Sequence, residues 1–477
     1  MDDRTLDDVR GQDDLVVDID DYGYKGEGYV RLADGWLSVP GALPGERVRV
    51  SVEEGHPRTS RLYGRLQEVL APSAHRRDPM CELDDVCRGC QLRHATIGEE
   101  LRFHVDTVIE VIEKYAELPR GEHPDVELIT PQPISRGDAF RIRSALTYRR
   151  EGDACSLGLV TPVRDELIPM NTCPALTTPV RRLIDTVMGC FAELDSLPCD
   201  SHMAEDGGSQ FDSFEPEPGL ENVRVMSPVY GRGMVDMVLT GGLGEEHLDD
   251  YIAHGAIAAL LGRLTEELPE EVGLGVKSGD LRRVIKPPER TRLPLAGLRL
   301  EVGFDDWVPA TVSPTDALYE RLEELLELES DEAFLDLGCG IGTISLLASR
   351  QVDRVVGVDI NRQSIETAEL NALEHDLDNV EFVVGGWENA LRKLALSRRE
   401  FDVATINPMR QPLGRRALSY LSRLEVQRLV YLAPSPASGA KDIGELTSMG
   451  WDVDFLAAAN IHPATYHTML VARLRAT

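Results

Sequence analysis

The stretch that decides the fold is Phe334-Leu335-Asp336-Leu337-Gly338-Cys339-Gly340-Ile341-Gly342-Thr343, which runs on into Ile344-Ser345-Leu346-Leu347-Ala348. A short apolar run that ends in a glycine-rich turn and passes into a helical pattern predicts a strand, a tight loop and a helix N-terminus. Glycines let a backbone pass close to a nucleotide-like ligand, and the loop amides and the helix dipole favour its polar end. We therefore expect Gly338, Gly340, Gly342 and Thr343 to border a ligand site.

A second apolar run, Val355 to Val358, ends about twenty residues later in Asp359. A carboxylate at the tip of the second strand is where doubly wound folds bind the two hydroxyls of a ribose. A glycine loop alone is compatible with any such fold, including a dehydrogenase. Here Asp336 precedes the glycines, and the spacing is G-x-G-x-G rather than the G-x-G-x-x-G of dinucleotide-binding proteins. These two details favour S-adenosylmethionine (SAM) as the cofactor.

The length of 477 residues predicts two or three domains, and the net charge of -32 restricts the partners. No run of eighteen apolar residues occurs and the N-terminus is acidic, so we expect a cytoplasmic protein with no membrane span or secretory signal. Arginine supplies almost all the positive charge, since only six lysines are present. Any RNA-binding surface on such a chain must gather its arginines on one face.

Short strands with turn residues between them predict a small β-barrel over residues 12–72, after an acidic tail at 1–11. The segment from Val39 to Glu46 resembles the TRAM domain, an OB-like barrel attached to RNA-modifying enzymes. The alternative is a structural barrel without a ligand, because each of its aromatic side chains could equally serve the core or the surface. These aromatic side chains, Tyr22, Tyr24, Tyr29 and Trp36, could also stack on RNA bases.

A cysteine cluster provides the second motif, Cys81-x5-Cys87-Arg88-Gly89-Cys90-Gln91-Leu92-Arg93-His94. Thiolates at this spacing suit one metal centre, and zinc with His94 as fourth ligand is one interpretation. The run also resembles the iron-sulfur loop of the RNA uracil-C5 methyltransferase family, C-G-G-C-Q-x-x-H. That family takes a fourth cysteine from a downstream position before a proline, which Cys173 matches. The resemblance implies a structural 4Fe–4S cluster on Cys81, Cys87, Cys90 and Cys173, with zinc as the alternative.

The same resemblance covers almost the whole chain and implies an α/β protein of three units. These are the barrel, a central α/β domain over 73–300 that carries the cysteine loop and an acidic insertion at 200–222, and a Rossmann-like class I methyltransferase domain over 301–477. Phe140-Arg141-Ile142-Arg143 matches an RNA-contacting motif of the family, so Arg141 and Arg143 are its RNA-binding candidates. The alternative is a solvated charged face. We expect a monomer that acts on tRNA or rRNA.

The chemical groups of the family are missing. The family uses a cysteine thiolate that adds to uracil C6 and a base that later removes the C5 proton. Pro434 occupies the nucleophile position in the run Val430-Tyr431-Leu432-Ala433-Pro434-Ser435, and Met469 occupies the position of the basic glutamate. Pro309 replaces a cofactor-contacting glutamine, Asn407 an aspartate, and Gly386 an acidic residue near the adenine. Asn407 nevertheless remains a cofactor-binding candidate, since it follows the fourth strand of the domain.

Three functions fit this pattern. The first is a divergent SAM-binding and RNA-binding member of the family whose uracil-C5 activity is impaired or lost. The second is an RNA methyltransferase of altered chemistry, since methylation of a nucleophilic nitrogen needs no cysteine and Asn407-Pro408 faintly resembles the turn of amino-methyltransferases. The third is a non-catalytic RNA-binding or assembly factor.

Overall fold

The computed structural model describes residues 3–53, 60–79, 81–87, 89–131, 139–151, 154–161, 167–192, 220–229, 231–240, 242–408 and 411–477. The acidic insertion expected at 200–222 lies outside these ranges except at its carboxyl end. In the described residues, no helix is long and apolar enough to cross a membrane.

The N-terminal unit is a six-stranded sheet that folds around its own core. Its elements are α1 (Leu6–Val9), β1 (Leu15–Asp18), β2 (Asp21–Tyr22), β3 (Gly28–Arg31), β4 (Trp36–Val39), β5 (Arg47–Val52) and β6 (Arg61–Ala71), in the sheet order β1-β5-β6-β4-β3-β2. Alternate residues of β5 are buried, as expected for a strand with one face on a core. Leu6 and Val9 lie in this core as well, so the described part of the acidic N-terminus packs against the sheet.

A connecting segment follows, and it contains α2 (Asp84–Cys87), α3 (Ile97–Tyr115) and β7 (Val126–Ile129). α3 carries an apolar stripe, with Phe103, Val108, Val111 and Ile112 buried.

The central unit is a seven-stranded sheet covered by helices on one face. Its elements are β8 (Arg143–Glu151), β9 (Ala154–Val160), β10 (Leu167–Pro169), α4 (Thr178–Ala192), β11 (Leu220–Val229), β12 (Arg232–Leu239), α5 (Glu245–Ala253), α6 (Gly255–Glu267), β13 (Val272–Ser278) and β14 (Leu281–Lys286). The strand order is β10-β9-β8-β11-β12-β13-β14, and only β12 and β13 run parallel. Buried side chains from α4 and α6 and from one face of the sheet form the core.

The C-terminal unit is a doubly wound sheet. The hairpin β15 (Arg290–Leu295) and β16 (Leu298–Gly303) leads into α7 (Ser313–Leu326), β17 (Ala333–Leu337), α8 (Thr343–Ser349), β18 (Arg354–Asp359), α9 (Arg362–Glu374), β19 (Val380–Val384), α10 (Trp387–Leu396), β20 (Val403–Ile406), α11 (Arg415–Arg423), β21 (Arg428–Ala433), α12 (Pro436–Ser448), β22 (Trp451–Ala459) and β23 (Met469–Ala476). Two buried cores cover its two faces. The predicted α/β fold class is confirmed.

The order of this sheet, β19-β18-β17-β20-β21-β23-β22-β7, includes a strand from far upstream. β7 pairs in parallel with β22, and α3 packs against α12 and β22. Residues 97–129 therefore belong to the C-terminal sheet in space, although the sequence places them within the 73–300 segment. The strand order reverses direction between β17 and β20, which opens a crevice at the carboxyl ends of these strands.

Candidate cofactor and substrate site

The predicted glycine loop lies in this crevice. Its backbone conformation and its close contacts require glycine at two positions. Gly338 has a φ of +84°, and a Cβ atom there would lie 2.3 Å from the carbonyl oxygen of Asn407. Gly342 has a φ of +89°, and its Cβ would meet Leu346 Cδ1 at 2.8 Å. Left-handed backbone and close packing both favour glycine. The loop after β17 thus touches the loop after β20 and leads directly into α8.

Asp336 lies beneath this loop and is completely buried. Its carboxylate accepts hydrogen bonds from Ser345 Oγ at 2.6 Å and from Thr405 Oγ1 at 2.9 Å. Burial raises the pKa of Asp336 to about 6, although these hydroxyl donors oppose the shift. The side chain therefore joins β17, α8 and β20, and it shapes the site from below.

Asp359, at the carboxyl end of β18, is half-buried and borders the crevice. One carboxylate oxygen accepts from the amide of Gly340 at 3.0 Å, and the other accepts from the amide of Asn361 at 2.8 Å. These bonds hold the carboxylate at the edge of the glycine loop. Each oxygen retains acceptor capacity for a ribose hydroxyl.

Asn407 is the last of the predicted cofactor residues. Its backbone N–H donates to the carbonyl oxygen of Leu337 at 2.8 Å, which places Asn407 at the end of β17. Two apolar side chains that the sequence analysis did not single out lie beside the set. Ile360 is 67 % exposed, and the ring of Trp387 lies 3.1 Å from the position of a Cβ on Gly338. Both directly follow positions considered from the sequence, Asp359 and Gly386. A glycine cradle, a carboxylate and apolar side chains together fit the adenosine part of SAM.

The position of the family nucleophile is Pro434, which follows β21 and precedes α12. Ser435 is next to it, and its Oγ donates to Ser438 Oγ at 3.0 Å, which is not a base. Cys339 is the last cysteine of the chain. Burial raises the pKa of its thiol well above the usual value, and Asp336 and Asp359 raise it further. Neither the Ser435 hydroxyl nor the Cys339 thiol can therefore replace the reactive thiolate of the family at this position.

The position of the family base is Met469, the first residue of β23, and it is buried in the apolar core. The preceding loop carries His462 and His467, whose ring centroids lie 5.8 Å apart. Burial lowers the pKa of His462 to about 4, with further lowering by His467, Arg141 and Arg143. His462 is therefore neutral at pH 7 and only a weak base.

The loop over 460–468 is fastened to α3 by buried polar groups. Glu100 Oε1 accepts from Asn460 Nδ2 at 2.8 Å and from the amide of Ala464 at 2.7 Å. His104 Nδ1 lies 2.6 Å from Thr468 Oγ1, and burial lowers the pKa of His104 to about 3. A helix from the connecting segment thus sets the position of the loop that carries His462 and His467.

A barrel loop reaches the same place. The Tyr24 side chain lies beside Ser435, and burial is the main cause that raises the pKa of Tyr24. A Cβ on Gly26 would lie 3.0 Å from Leu92 Cδ2 and 3.4 Å from Tyr466 Cβ. The barrel, the cysteine loop and the 460–468 loop therefore meet beside Pro434, and Tyr24 is the barrel aromatic that the structure brings to the site.

The predicted RNA-binding arginines border this meeting point. Arg141 Nη2 donates to the carbonyl of Gly89 at 2.9 Å, which ties it to the cysteine loop. The Arg143 guanidinium lies 5.8 Å from the centroid of the Trp307 ring. Burial lowers the pKa of Arg143, and Arg224 lowers it further. Trp307 is 53 % exposed and was not predicted as an RNA contact, although it lies in the segment around Pro309.

The four predicted cluster cysteines are free thiols on two separate segments of the chain. Burial raises the pKa of Cys87, and the charges of Cys173, Cys90 and Cys81 raise it further. Four thiols match the donor chemistry of an iron-sulfur cluster or zinc. As placed, however, no three Cys, His, Asp or Glu side chains of the described residues form a group that could hold a metal ion. The charged neighbours of His94 are Arg76, Glu46 and Arg77, which places His94 on the side of the barrel.

Known proteins match the chain at both the domain and the full-length level. A family model described as a methyltransferase domain matches residues 328–438. An uncharacterized RNA methyltransferase of Clostridium tetani is 25% identical over 93% of this chain and 92% of its own length. The 23S rRNA (uracil(1939)-C(5))-methyltransferase RlmD of an Enterobacter species is 24% identical over 95% and 94% of the two chains.

Among solved structures, the tRNA (uracil-54, C5)-methyltransferase of Pyrococcus abyssi in complex with S-adenosyl-L-homocysteine has a TM-score of 0.70. It is 20% identical and covers 96% of this chain and 99% of its own. The fold is thus shared over nearly the whole length, barrel and central sheet included.

Proposed function

Since this chain belongs to the RNA uracil-C5 methyltransferase family, we propose that it binds SAM and RNA but has lost cysteine-dependent methylation of uracil C5. The observation that carries the proposal is an intact glycine-loop crevice next to a proline at the nucleophile position. The RNA is a tRNA or an rRNA, in keeping with the names of the relatives.

The residues that would hold SAM are those of the crevice. The glycine loop gives the cofactor backbone amides at close range, Asp359 faces the ribose hydroxyls, and Ile360 and Trp387 flank the base. Asp336 keeps β17, α8 and β20 in register from below. When bound, SAM supplies an electrophilic methyl group.

The residues that would hold RNA surround the meeting point of the barrel, the cysteine loop and the 460–468 loop. Arg141 and Arg143 supply positive charge, and Trp307 and Tyr24 supply exposed aromatic surface. Cations next to aromatic rings are the usual contacts of single-stranded nucleic acid. A target base enters between these side chains and the crevice, close to Ser435.

The loss of uracil-C5 chemistry follows from the groups at that point. Uracil C5 is too weak a nucleophile to take a methyl group unless a thiolate adds to C6. Proline at 434 has no nucleophile, the Ser435 hydroxyl donates to the Ser438 hydroxyl rather than to a base, and Met469 cannot remove a proton. The activation step and the final deprotonation therefore both lack their group.

Binding of SAM tests the first half of the proposal. We expect calorimetry to detect SAM binding by the full chain and Asp359→Ala to weaken it about 10- to 100-fold, since charged hydrogen bonds to a ribose are lost. Asp353→Ala is the matched control, because Asp353 is exposed and directly precedes β18, at the end of the strand opposite to Asp359. Absence of binding by the wild type would refute the proposal and favour a non-catalytic RNA-binding or assembly factor.

Nucleoside mass spectrometry tests the second half. The protein is incubated with labelled SAM and total host RNA, and the labelled nucleosides are identified. We expect no 5-methyluridine from the wild type, and its appearance would overturn the argument from Pro434. A label on a ring or exocyclic nitrogen would identify instead an enzyme of altered chemistry at Asn407-Pro408.

A restored variant sharpens this test. Pro434→Cys together with Met469→Glu returns both missing groups, and we expect the double variant to form 5-methyluridine. Pro434→Cys alone is the control, since it can add to C6 but lacks the base. Equal product from the single and double variants would show that another residue, such as His467, serves as base.

The cysteine set is proposed as the ligands of a structural 4Fe–4S cluster, on the grounds of its four free thiols and the family resemblance. We expect anaerobically purified protein to be brown, with absorbance at about 400 nm and iron and sulfide in equal amounts. Cys173→Ser should remove the colour and lower the melting temperature. A colourless protein that contains one zinc ion would identify the alternative centre.

A further inference from the structure

One face of the central sheet carries a row of cations. Arg224 on β11 lies opposite Ala145 and Asp236, and Arg143 lies two residues from Ala145 on β8. On the adjoining strands, Lys277 lies opposite Arg282. Directly opposed residues project from the same face of a sheet, so these cations form one row across it. The other face is the apolar core beneath α4 and α6.

Two carboxylates, Asp236 and Asp305, lie beside this row, and both pair with its cations. Asp305 accepts from Lys277 Nζ at 2.6 Å and from Arg282 Nη2 at 2.9 Å, and Arg282 Nη2 also lies 3.0 Å from Asp236. Arg224 approaches Asp305 only to 3.9 Å. Arg143 has no carboxylate partner among the described residues. The four cations of the row, Arg143, Arg224, Lys277 and Arg282, outnumber the two carboxylates beside them, so the row keeps a net positive charge in a protein with a net charge of -32.

The row continues into a cleft at the beginning of α9. The cleft has a volume of about 840 Å³. Arg224, Lys277 and Asp305 line one wall, and Asn361, Arg362 and Gln363 line the other, with Asp280 and Glu366 as the remaining lining residues. Arg362 is exposed and has no ion pair among the residues that the structure describes. The cleft begins two residues from Asp359 and is therefore adjacent to the cofactor crevice.

Trp307 links the cleft to the substrate side. Its half-exposed ring lies against the guanidinium of Arg143. Arg143 is close enough to His462 to lower the pKa of that histidine, and Arg224 is close enough to lower the pKa of Arg143. The features therefore follow one another in space from His462 through Arg143 and Trp307 to Arg224 and the cleft. An exposed aromatic ring next to arginines is typical of a single-strand nucleic-acid channel.

We propose that the RNA next to the target nucleotide runs as a single strand over Trp307, along Arg143 and Arg224, and into this cleft, where Arg362 binds a phosphate. This inference rests on the proposed function, because it presumes an RNA whose target base lies near Ser435. The surplus of cations over carboxylates in the row allows a polyanion to approach here despite the charge of the whole chain.

The test measures binding of a fluorescein-labelled single-stranded oligouridylate of about twelve nucleotides to the full chain, by fluorescence anisotropy at several KCl concentrations. Arg224→Gln with Arg362→Gln should weaken binding about 10-fold or more and lower the slope of log K against log salt by about 2. Trp307→Ala should weaken binding about 5- to 100-fold, and Trp307→Phe should retain most of it.

Arg263→Gln is the matched control, since Arg263 is an exposed arginine on α6, behind the sheet. It should leave affinity and salt slope unchanged. If the double variant binds like the wild type while Arg141→Gln weakens binding, the RNA takes another path and the proposed function stands. Preference for a duplex of the same length would also overturn the single-strand path. Absence of any RNA binding by the wild type would overturn the proposed function together with this inference.

Discussion

Replacement of Gly338 by alanine should destabilise the protein much more than the same replacement at Gly340. Both residues belong to the glycine loop and both have positive φ, +84° and +54°. A Cβ on Gly338 would lie 2.3 Å from the Asn407 carbonyl oxygen, whereas a Cβ on Gly340 would meet nothing within 4 Å. The two variants therefore share the backbone strain and differ in the collision.

The magnitudes follow from these two terms. An alanine held in the left-handed region costs about 1 kcal/mol, which applies to both variants. Overpacking adds about 1–3 kcal/mol at Gly338, because the obstacle is backbone and cannot rotate away. We expect the free energy of unfolding to fall by about 1 kcal/mol in Gly340→Ala and by about 2–4 kcal/mol in Gly338→Ala.

Urea denaturation monitored by circular dichroism measures these losses, and calorimetry with SAM shows whether the crevice survives. Gly338→Ala should also lose SAM affinity, since the loops after β17 and β20 must separate. Equal losses of stability in the two variants would refute the reasoning, because backbone strain alone would then explain both. Wild-type stability and SAM affinity in Gly338→Ala would refute it as well.

Three further perturbations have defined outcomes. Asp336 has a pKa raised to about 6, so its ionised form opposes folding, and between pH 4 and pH 7 the wild type should lose up to about 3 kcal/mol relative to Asp336→Asn in urea titrations. Glu100→Gln weakens two buried charge-assisted hydrogen bonds, so it should lower the free energy of unfolding by about 1–3 kcal/mol. It should also speed amide hydrogen exchange within 460–468, as measured by mass spectrometry. Unchanged exchange there would contradict the conclusion that Glu100 holds this loop against α3. The net charge of -32 predicts a melting temperature that rises with KCl as repulsion is screened, and a flat response would show that the surface charges are already balanced by ion pairs.

The sequence by itself determined the glycine loop and predicted its ligand class. Phe334 to Asp359 form one strand–loop–helix–strand segment in which each element follows from its neighbours, through apolar runs, glycine spacing and a terminal carboxylate. Their relative positions are set by short connections, so the pattern predicted Gly338, Gly342 and Asp359 at a common edge. The sequence also revealed that Pro434 and Met469 differ from the family's nucleophile and base, since each is a single changed residue in a recognisable local motif.

Only the tertiary structure decided which distant segments complete the site. β7 pairs with β22, although more than 300 residues separate them, and the Tyr24 loop reaches Ser435. Strand order and register depend on buried surface that both partners share, and a pattern of period two on one strand carries no information about its neighbour. The alternation that exposes Arg224 is visible in the sequence, but its alignment with Arg143 and Lys277 required the pairing of four strands. Local chemistry was therefore determined residue by residue, whereas the surface that selects a substrate came from long-range pairing.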